Sequence, residues 1–271
     1  MFKVDLHTHS TFSDGTSSPQ EVAYQACKAG VRLFALSDHD TTDGVLAAQE
    51  ACAQLKINWV PAVEISTREH DHLHFLGYHI DLQNQAFQKF LQQNRENRQN
   101  RIRQIIDQLA QNGVPITQED VFSLAPYTIS RAHVADALRK KKIVNSRQEG
   151  FRRYLVPGQV GYVPSAGVSV VEAIAEIKKA GGLAVMAHPG LVQEAWDFPK
   201  WKEAGLDGLE VFYPAHSYTL KQELLKITRK YDFFATGGSD YHGPHASRNT
   251  CVGISIPSPY AERLQRKLLL N

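Results

Sequence analysis

Two histidines and an aspartate lie close together near the start of the sequence, in DLHTHSTFSDG at residues 5–15. His7 and His9 are two positions apart in a strand-like run, so their side chains point to one face and can bind one metal ion together. Asp14, which precedes Gly15, adds a carboxylate in a tight loop that could return to the same place. HxH alone is weak evidence, because a strand histidine is more often a hydrogen-bonded core or edge residue.

Further histidines and carboxylates stand at the ends of other apolar runs, which strengthens the metal hypothesis. They are His39 between Asp38 and Asp40 after RLFALS, Glu64 at the end of WVPAVE, His74 at the start of HFLGY, His188 at the end of GLAVMAH, and Asp240 and His242 after FFATGG. The carboxyl ends of parallel strands converge on one face of a barrel. We therefore expect these groups to meet in space although they are far apart in sequence.

A mixture of imidazole and carboxylate ligands suits manganese, zinc or iron(II). The candidate ligands outnumber the positions on one tetrahedral ion, which predicts two or three divalent ions, manganese first among them, with Glu64 as a candidate bridge. Three dications against Asp14, Glu64 and Asp240 would leave a pocket charge of about +3. Such a pocket suits phosphate, and clustered ions lower the pKa of a bridging water to about 7. The pattern predicts phosphoester hydrolysis without a serine or cysteine nucleophile.

The elements that would hold these residues alternate between strands and helices. Strand-like runs are KVDLH at 3–7, RLFALS at 32–37, INWVPAVE at 57–64, LHFLGY at 73–78, GLAVMAH at 182–188, GLEVFY at 208–213, FFATGG at 233–238 and CVGISI at 251–256. Helix signals lie between them: Ser18, Pro19 and Glu21 form a start pattern that Gly30 closes. The alternation predicts an α/β fold built on a parallel sheet or barrel.

Helical patterns replace strand patterns between about residues 86 and 165. We interpret this stretch as a small α-helical insertion domain that covers the substrate. The predicted organisation is a first barrel part at 1–90, the insertion at 91–163 and a second barrel part at 164–271.

Two groups of cations in the insertion have a simpler interpretation than a binding role. Arg95, Arg98 and Arg101 fall at i, i+3 and i+6 on one helix face, and we expect that face to be exposed to solvent. The run at 140–142 is expected to be a solvated helix end, because basic residues there complement the helix dipole.

Composition excludes several classes of protein. Thirty basic residues balance 28 acidic ones among the 271, which argues against a general nucleic-acid coat. The three cysteines are widely separated and show no CxxC spacing, so no disulfide framework or zinc knuckle is indicated. No apolar run approaches the roughly 18 residues that a membrane span needs. We expect a cytoplasmic protein with no membrane association and no obligate protein partner.

The residues described so far resemble the PHP family, the polymerase-and-histidinol-phosphatase type of metal-dependent phosphoesterase related to amidohydrolases. The matching motifs are DLHTHSTFSDG, SDHDTTDG, PAVEIS, HFLGY, AHPG and GGSDYHG, in that order. The resemblance implies a distorted, TIM-like barrel of about seven βα units with a trinuclear metal site. It assigns nine ligands: His7, His9, Asp14, His39, Glu64, His74, His188, Asp240 and His242.

Within the family, the sequence resembles a branch of stand-alone enzymes that remove the 3′-phosphate from nucleoside 3′,5′-bisphosphates. The segments that carry this resemblance are ISRAHVADAL and FRRYLVPGQVGYVP. Relatives in this branch also degrade short RNA from the 5′ end. The insertion motif usually has proline where Ala132 stands here, but Arg131 and His133 are intact. With Ser130 they lie at a predicted helix start, where backbone N–H groups favour anions. These three residues are the predicted contacts to a second phosphate.

The resulting hypothesis is a hydrolase that attacks a nucleotide carrying two phosphates with a metal-bridging hydroxide held by Glu64 and Asp240. Its predicted partner is a small nucleotide, such as adenosine 3′,5′-bisphosphate, or short RNA. One alternative is histidinol-phosphate phosphatase, which would use the same ions with a different specificity loop. A second is a non-catalytic metal-binding module that serves a polymerase.

Overall fold

The computed structural model describes residues 1–125, 127–244, 246 and 249–269, in which nine strands form two sheets. The strands are β1 (Phe2–Asp5), β2 (Leu33–Phe34), β3 (Asn58–Trp59), β4 (Ala62–Ser66), β5 (His74–Tyr78), β6 (Leu183–Met186), β7 (Gly208–Phe212), β8 (Phe234–Gly237) and β9 (Ile254–Ile256). One sheet has the order β3-β2-β1-β9 and the other β4-β5-β6-β7-β8. A mixed α/β architecture is thereby confirmed.

Ten α-helices surround and extend the sheets in the described ranges. They are α1 (Pro19–Lys28), α2 (Val45–Leu55), α3 (Gln85–Gln111), α4 (Gln118–Phe122), α5 (Arg131–Lys140), α6 (Arg147–Gly150), α7 (Val170–Lys179), α8 (Phe198–Glu203), α9 (Tyr218–Tyr231) and α10 (Ser258–Leu269). The predicted start of α1 is confirmed, since Ser18 and Glu21 form a reciprocal capping box with Pro19 as the first helical residue.

The expectation of a parallel arrangement is wrong for two strands. β5 runs antiparallel to both β4 and β6, and β9 runs antiparallel to β1. The antiparallel direction of β5 follows from the short connection between β4 and β5, which spans only residues 67–73. A parallel crossover needs a dozen or more residues, so this link can form only a hairpin. The reversal brings His74, at the start of β5, opposite Ser66 at the end of β4.

Two isolated bridges join the sheets. Thr8, beyond β1, pairs with Tyr241 beyond β8, and His39, beyond β2, pairs with Glu64 in β4. The strand pairing among the described residues gives two sheets with these bridges between them, and the closed TIM-like barrel stays a prediction.

The hydrophobic interior is divided along the chain. The largest cluster packs the five-stranded sheet against α7, α9 and α10, and it includes Phe75, Leu209 and Leu264. A second cluster contains only residues between Ile102 and Val163. Helix α3 contributes to both clusters, so the predicted boundary at residue 91 falls inside one continuous helix. The three-part organisation of the chain, whose last part includes residues outside the described ranges, stays a prediction.

None of the described helices combines the length and the apolar character that would be required to cross a membrane.

The second cluster generates a prediction about stability. Leu138 is completely buried in α5 within this cluster, so Leu138→Ala should lower the free energy of unfolding by about 2–5 kcal/mol through lost burial and a residual cavity. Urea denaturation followed by circular dichroism measures the change. Leu46→Ala is the matched control, because Leu46 is 59% exposed. Equal stability of the two variants would contradict the assignment of Leu138 to a packed core.

Candidate active site

A single buried carboxylate, that of Glu64, stands at the centre of the candidate site, with only 1% of its side chain exposed. Five imidazole nitrogens lie within 3.2 Å of its two oxygens: Oε2 is 3.2 Å from His7 Nε2, 3.2 Å from His9 Nε2 and 3.1 Å from His39 Nδ1, and Oε1 is 2.9 Å from His74 Nδ1 and 3.1 Å from His188 Nε2. The residue predicted as a bridge is therefore in contact with five of the predicted ligands.

Two further carboxylates complete the cluster. Asp240 Oδ1 lies 3.3 Å from His9 Nε2 and 3.5 Å from His242 Nδ1. Asp14 Oδ1 lies 3.2 Å from His242 Nε2 and 3.9 Å from His39 Nε2. The structure thus brings all nine predicted ligands together, in four overlapping groups whose ligand atoms lie within 4.8 Å of one another.

The donor atoms of this cluster fit metal ions better than they fit each other. Five of these atoms are buried and have no hydrogen-bond partner within the described residues: His7 Nε2, His9 Nε2, His39 Nδ1, Glu64 Oε2 and Asp14 Oδ1. Buried polar groups are almost always paired, so a convergent set of unpaired polar atoms indicates a missing partner. Imidazole nitrogens and carboxylate oxygens that face one common point can coordinate a divalent cation.

Electrostatics keep the carboxylates ionised. Burial alone would raise the pKa of Glu64, but the neighbouring His7 and His39 hold that pKa well below its usual range. Burial alone would lower the pKa of His9, but the adjacent carboxylates of Asp240 and Glu64 raise it to about 10. Without metal, protonated His7 and His9 therefore compensate the carboxylates, and metal binding must release those protons.

The backbone is strained at three residues of the site that follow strands. His188, Asp240 and Asp40 have positive φ angles of 26°, 55° and 53°, a region that residues other than glycine rarely adopt. Hydrogen bonds hold two of them: the Asp240 N–H donates to the carbonyl of His7 at 2.8 Å, and the Asp40 N–H donates to the carbonyl of Glu64 at 2.9 Å. Strain of this kind persists only where surrounding contacts fix it, which is typical of functional sites.

Sequence reasoning missed Glu210, in the middle of β7. This fully buried carboxylate lies 3.1 Å from His7 Nδ1 and accepts a hydrogen bond of 2.8 Å from the His188 N–H. A carboxylate behind a histidine fixes its tautomer and orientation and makes it a better metal ligand. The available signal was a lone glutamate inside the apolar run GLEVFY. Asp38, which precedes His39, accepts hydrogen bonds from Ser10 and Ser13 in the loop after His9.

The cluster opens into a cavity of about 730 Å³ whose wall is rich in arginine. Those arginines are Arg68, Arg98, Arg101, Arg131, Arg147 and Arg152. The expectation that the arginines of α3 face solvent is wrong. Arg98 donates to Asp40 and Ser66, and Arg101 donates to Asp71. The i, i+3 spacing indicated a common helix face, but not that carboxylates from other segments would cover it.

The three predicted substrate residues do not share one position. Ser130 caps α5 and donates to Asp14 Oδ2 at 3.0 Å, and it lines the cavity. Arg131 also lines the cavity and donates to Asp71 Oδ2 at 2.9 Å. His133 Nδ1 accepts from the Ser130 N–H at 3.0 Å, and its ring lines a separate, smaller cavity on the other side of Asp14.

A mixed α/β scaffold that gathers nine imidazole and carboxylate ligands beside a cationic cavity defines a metal-binding hydrolase. The PHP domain family matches residues 5–153. The chain is 34% identical to the 5′-3′ exoribonuclease Rnm of Salmonella typhimurium, over 89% of this chain and 85% of that protein. It is also 34% identical to a 3′,5′-nucleoside bisphosphate phosphatase of Chromobacterium violaceum, over 90% and 88% of the two chains.

A solved structure gives the same result. An amidohydrolase from Chromobacterium violaceum with bound sulfate and no metal superposes with a TM-score of 0.83 at 32% identity, covering 94% of this chain and 92% of that chain. The chain belongs to the PHP domain family. The predictions of this family and of a hydrolase are confirmed.

Glu210 allows a test of the metal cluster that does not need substrate. Glu210→Gln removes the charge behind His7, so metal affinity should fall about 10–100-fold. Competition with a chromophoric chelator measures the affinity. Glu262→Gln on the exposed face of α10 is the control and should bind metal as the unmodified protein does. Unchanged affinity in Glu210→Gln would show that this carboxylate has no effect on the ligands.

Asp71 allows a test of the contact between the β4–β5 connection and the insertion. Burial alone would raise the pKa of Asp71, but Arg131 and Arg101 lower it below its usual value. The ion pairs therefore stabilise the fold above the unfolded pKa of about 4, and this contribution is lost as pH falls through the lower folded pKa. Asp71→Asn should cost about 3 kcal/mol at pH 7, because two buried guanidinium groups lose their counter-charge.

Chemical denaturation from pH 7 to pH 3 should show a constant difference between Asp71→Asn and the unmodified protein down to about pH 4, and a smaller one below it. Asp232→Asn is the control, since Asp232 is 85% exposed and pairs with Arg263 on the surface. A similar loss of stability in both variants would contradict a special role for Asp71.

Proposed function

We propose that this chain is a metal-dependent phosphatase that removes the 3′-phosphate from nucleoside 3′,5′-bisphosphates. The observation that carries the proposal is the position of the nine-ligand cluster at one end of a cavity whose wall bears six arginines. The cluster suits one phosphate and the arginines suit another. The names of the relatives, a bisphosphate phosphatase and an exoribonuclease, support a substrate of this class.

The proposed ligands are the nine predicted residues, arranged to hold two or three divalent ions. Such ions would supply an activated water and neutralise charge that develops on the phosphoryl oxygens. Manganese, zinc and iron(II) all suit this ligand set. Glu64 and Asp240 are the proposed carboxylates beside the attacking water.

The other residues of the site orient these ligands. The Tyr213 hydroxyl donates to Asp240 Oδ2 at 3.1 Å, and Ser130 donates to Asp14 Oδ2. Each bond leaves the other carboxylate oxygen, Oδ1, directed at the histidines. We also propose that the two bridges between the sheets close the fold into the distorted barrel of about seven βα units, which would give the cluster a rigid frame.

Arg68 and Arg152 are the proposed contacts to the second phosphate, together with Arg131 and Ser130. Both are exposed to the cavity, and neither forms an ion pair with a carboxylate in the part of the chain that the structure describes. By contrast, the cavity arginines Arg98 and Arg101 are already paired. A guanidinium group without a counter-charge can form bidentate bonds to phosphate.

Three alternatives differ in what they require of the arginines that line the cavity. Stepwise hydrolysis of short RNA from the 5′ end would use the same arginines, and the exoribonuclease relative favours it as a second activity. Histidinol phosphate carries one phosphate, so it would leave Arg68 and Arg152 unused. A non-catalytic module would bind metal and hydrolyse none of these compounds.

The test compares adenosine 3′,5′-bisphosphate, adenosine 3′-monophosphate, histidinol phosphate and a short 5′-phosphorylated RNA by phosphate release and nucleotide analysis. We expect the bisphosphate to yield AMP with the highest kcat/KM, and a chelator to abolish the reaction. Arg68→Gln with Arg152→Gln should raise KM for the bisphosphate at least about tenfold, or about 1.4 kcal/mol, and leave the 3′-monophosphate unaffected.

The control is Arg153→Gln, because Arg153 is adjacent in sequence but pairs with Glu149 outside the cavity. Equal loss on both substrates would contradict a second phosphate contact. Preference for histidinol phosphate would replace the proposed substrate, and metal binding without hydrolysis of any compound would leave only the non-catalytic module.

A further inference from the structure

A second cavity, of about 400 Å³, lies beside the metal cluster and is not used by the proposed reaction. We call it the side cavity; its lining is Asp14, Gly15, Thr16, Leu124, His133, Asp136, Arg139, Lys140 and Arg147. Asp14 and Arg147 line both cavities and so form the wall between them. The side cavity is therefore next to the candidate site but separate from it.

His133 contributes a hydrogen-bond donor to this cavity. Its Nδ1 accepts a hydrogen bond from the Ser130 N–H, so the proton of the neutral ring is on Nε2. The residue is only 7% exposed, and Nε2 has no hydrogen-bond partner among the described residues. Because His133 lines the side cavity, this N–H is available to an acceptor from outside the chain.

The charges around the side cavity select an anion. Arg139, Lys140 and Arg147 supply three positive charges, and Asp136 supplies one negative charge beside them. Asp136 pairs closely with Arg147, at 2.5 Å, and only distantly with Arg139, at 3.9 Å. Lys140 forms no ion pair in the described ranges. The other lining carboxylate, Asp14, faces His242 at 3.2 Å and is occupied in the metal cluster.

We propose that the side cavity binds a phosphate dianion, held by His133 Nε2, Lys140 and the guanidinium groups of Arg139 and Arg147. A tetrahedral dianion offers enough oxygens for several donors at once, and charge-assisted bonds of this kind are strong. The same chemistry fits free phosphate and a phosphate carried by a nucleotide. The inference rests on the lining of the cavity and does not depend on the proposed reaction.

The test counts bound phosphate on the metal-free, full-length protein by equilibrium dialysis with labelled inorganic phosphate. Arg139→Gln combined with Lys140→Gln should bind one phosphate fewer per chain than the unmodified protein, or bind it about tenfold more weakly. Lys142→Gln, which changes a nearby charge outside the cavity, should retain the full number. Thermal unfolding verifies that all three proteins are folded.

The dialysis is repeated with AMP to distinguish the two sources. Loss of a phosphate site without loss of an AMP site supports free phosphate as the ligand, and loss of both supports a phosphate carried by a nucleotide. As a second measurement, the Nε2 resonance of His133 in ¹⁵N-histidine-labelled protein should shift when phosphate is added. Equal binding by the double variant and the unmodified protein, with no shift of His133, would overturn the inference.

Discussion

The buried carboxylate of Glu64 is the constraint on which the rest of the structure depends. Removing an ionised carboxylate from water costs several kcal/mol unless nearby groups compensate it. Five imidazoles lie within 3.2 Å of it here, and they come from four segments: the residues after β1, the residues after β2, the start of β5 and the residues after β6. Because no one segment can compensate Glu64 alone, the site and the packing of the two sheets must form together.

The seam between the sheets coincides with the site. The two bridges that join the sheets involve Thr8, His39, Glu64 and Tyr241, which are candidate metal ligands or their neighbours in sequence. The strained backbone of Asp40 and Asp240 lies at the same seam, where the chain leaves a strand and must turn its side chain inward. The energy of many ordinary contacts in the core thus maintains a few unfavourable conformations at the functional edge.

The nine residues that the structure clusters were predictable from sequence because most of them stand at the end or start of an apolar run. The direction of β5 was also accessible, since seven residues between two strands leave no room for a crossover helix. Glu210, Asp71 and the partners of the α3 arginines were not, because each acts through a contact with a residue far along the chain. Spacing shows which residues share a face, but not what covers it.

The arginines of α3 show how the insertion and the sheets depend on each other. Arg98 reaches Asp40 in the segment after β2, and Arg101 reaches Asp71 in the β4–β5 connection, so one helix binds two separate segments through buried charge. A buried ion pair adds little net stability but is costly to break on one side only. Such pairs therefore fix the position of the helix more than they strengthen the fold. Asp40 and Asp71 belong to the segments that also carry the candidate metal ligands His39 and His74. The ion pairs therefore fix the arginines that line the cavity relative to Glu64.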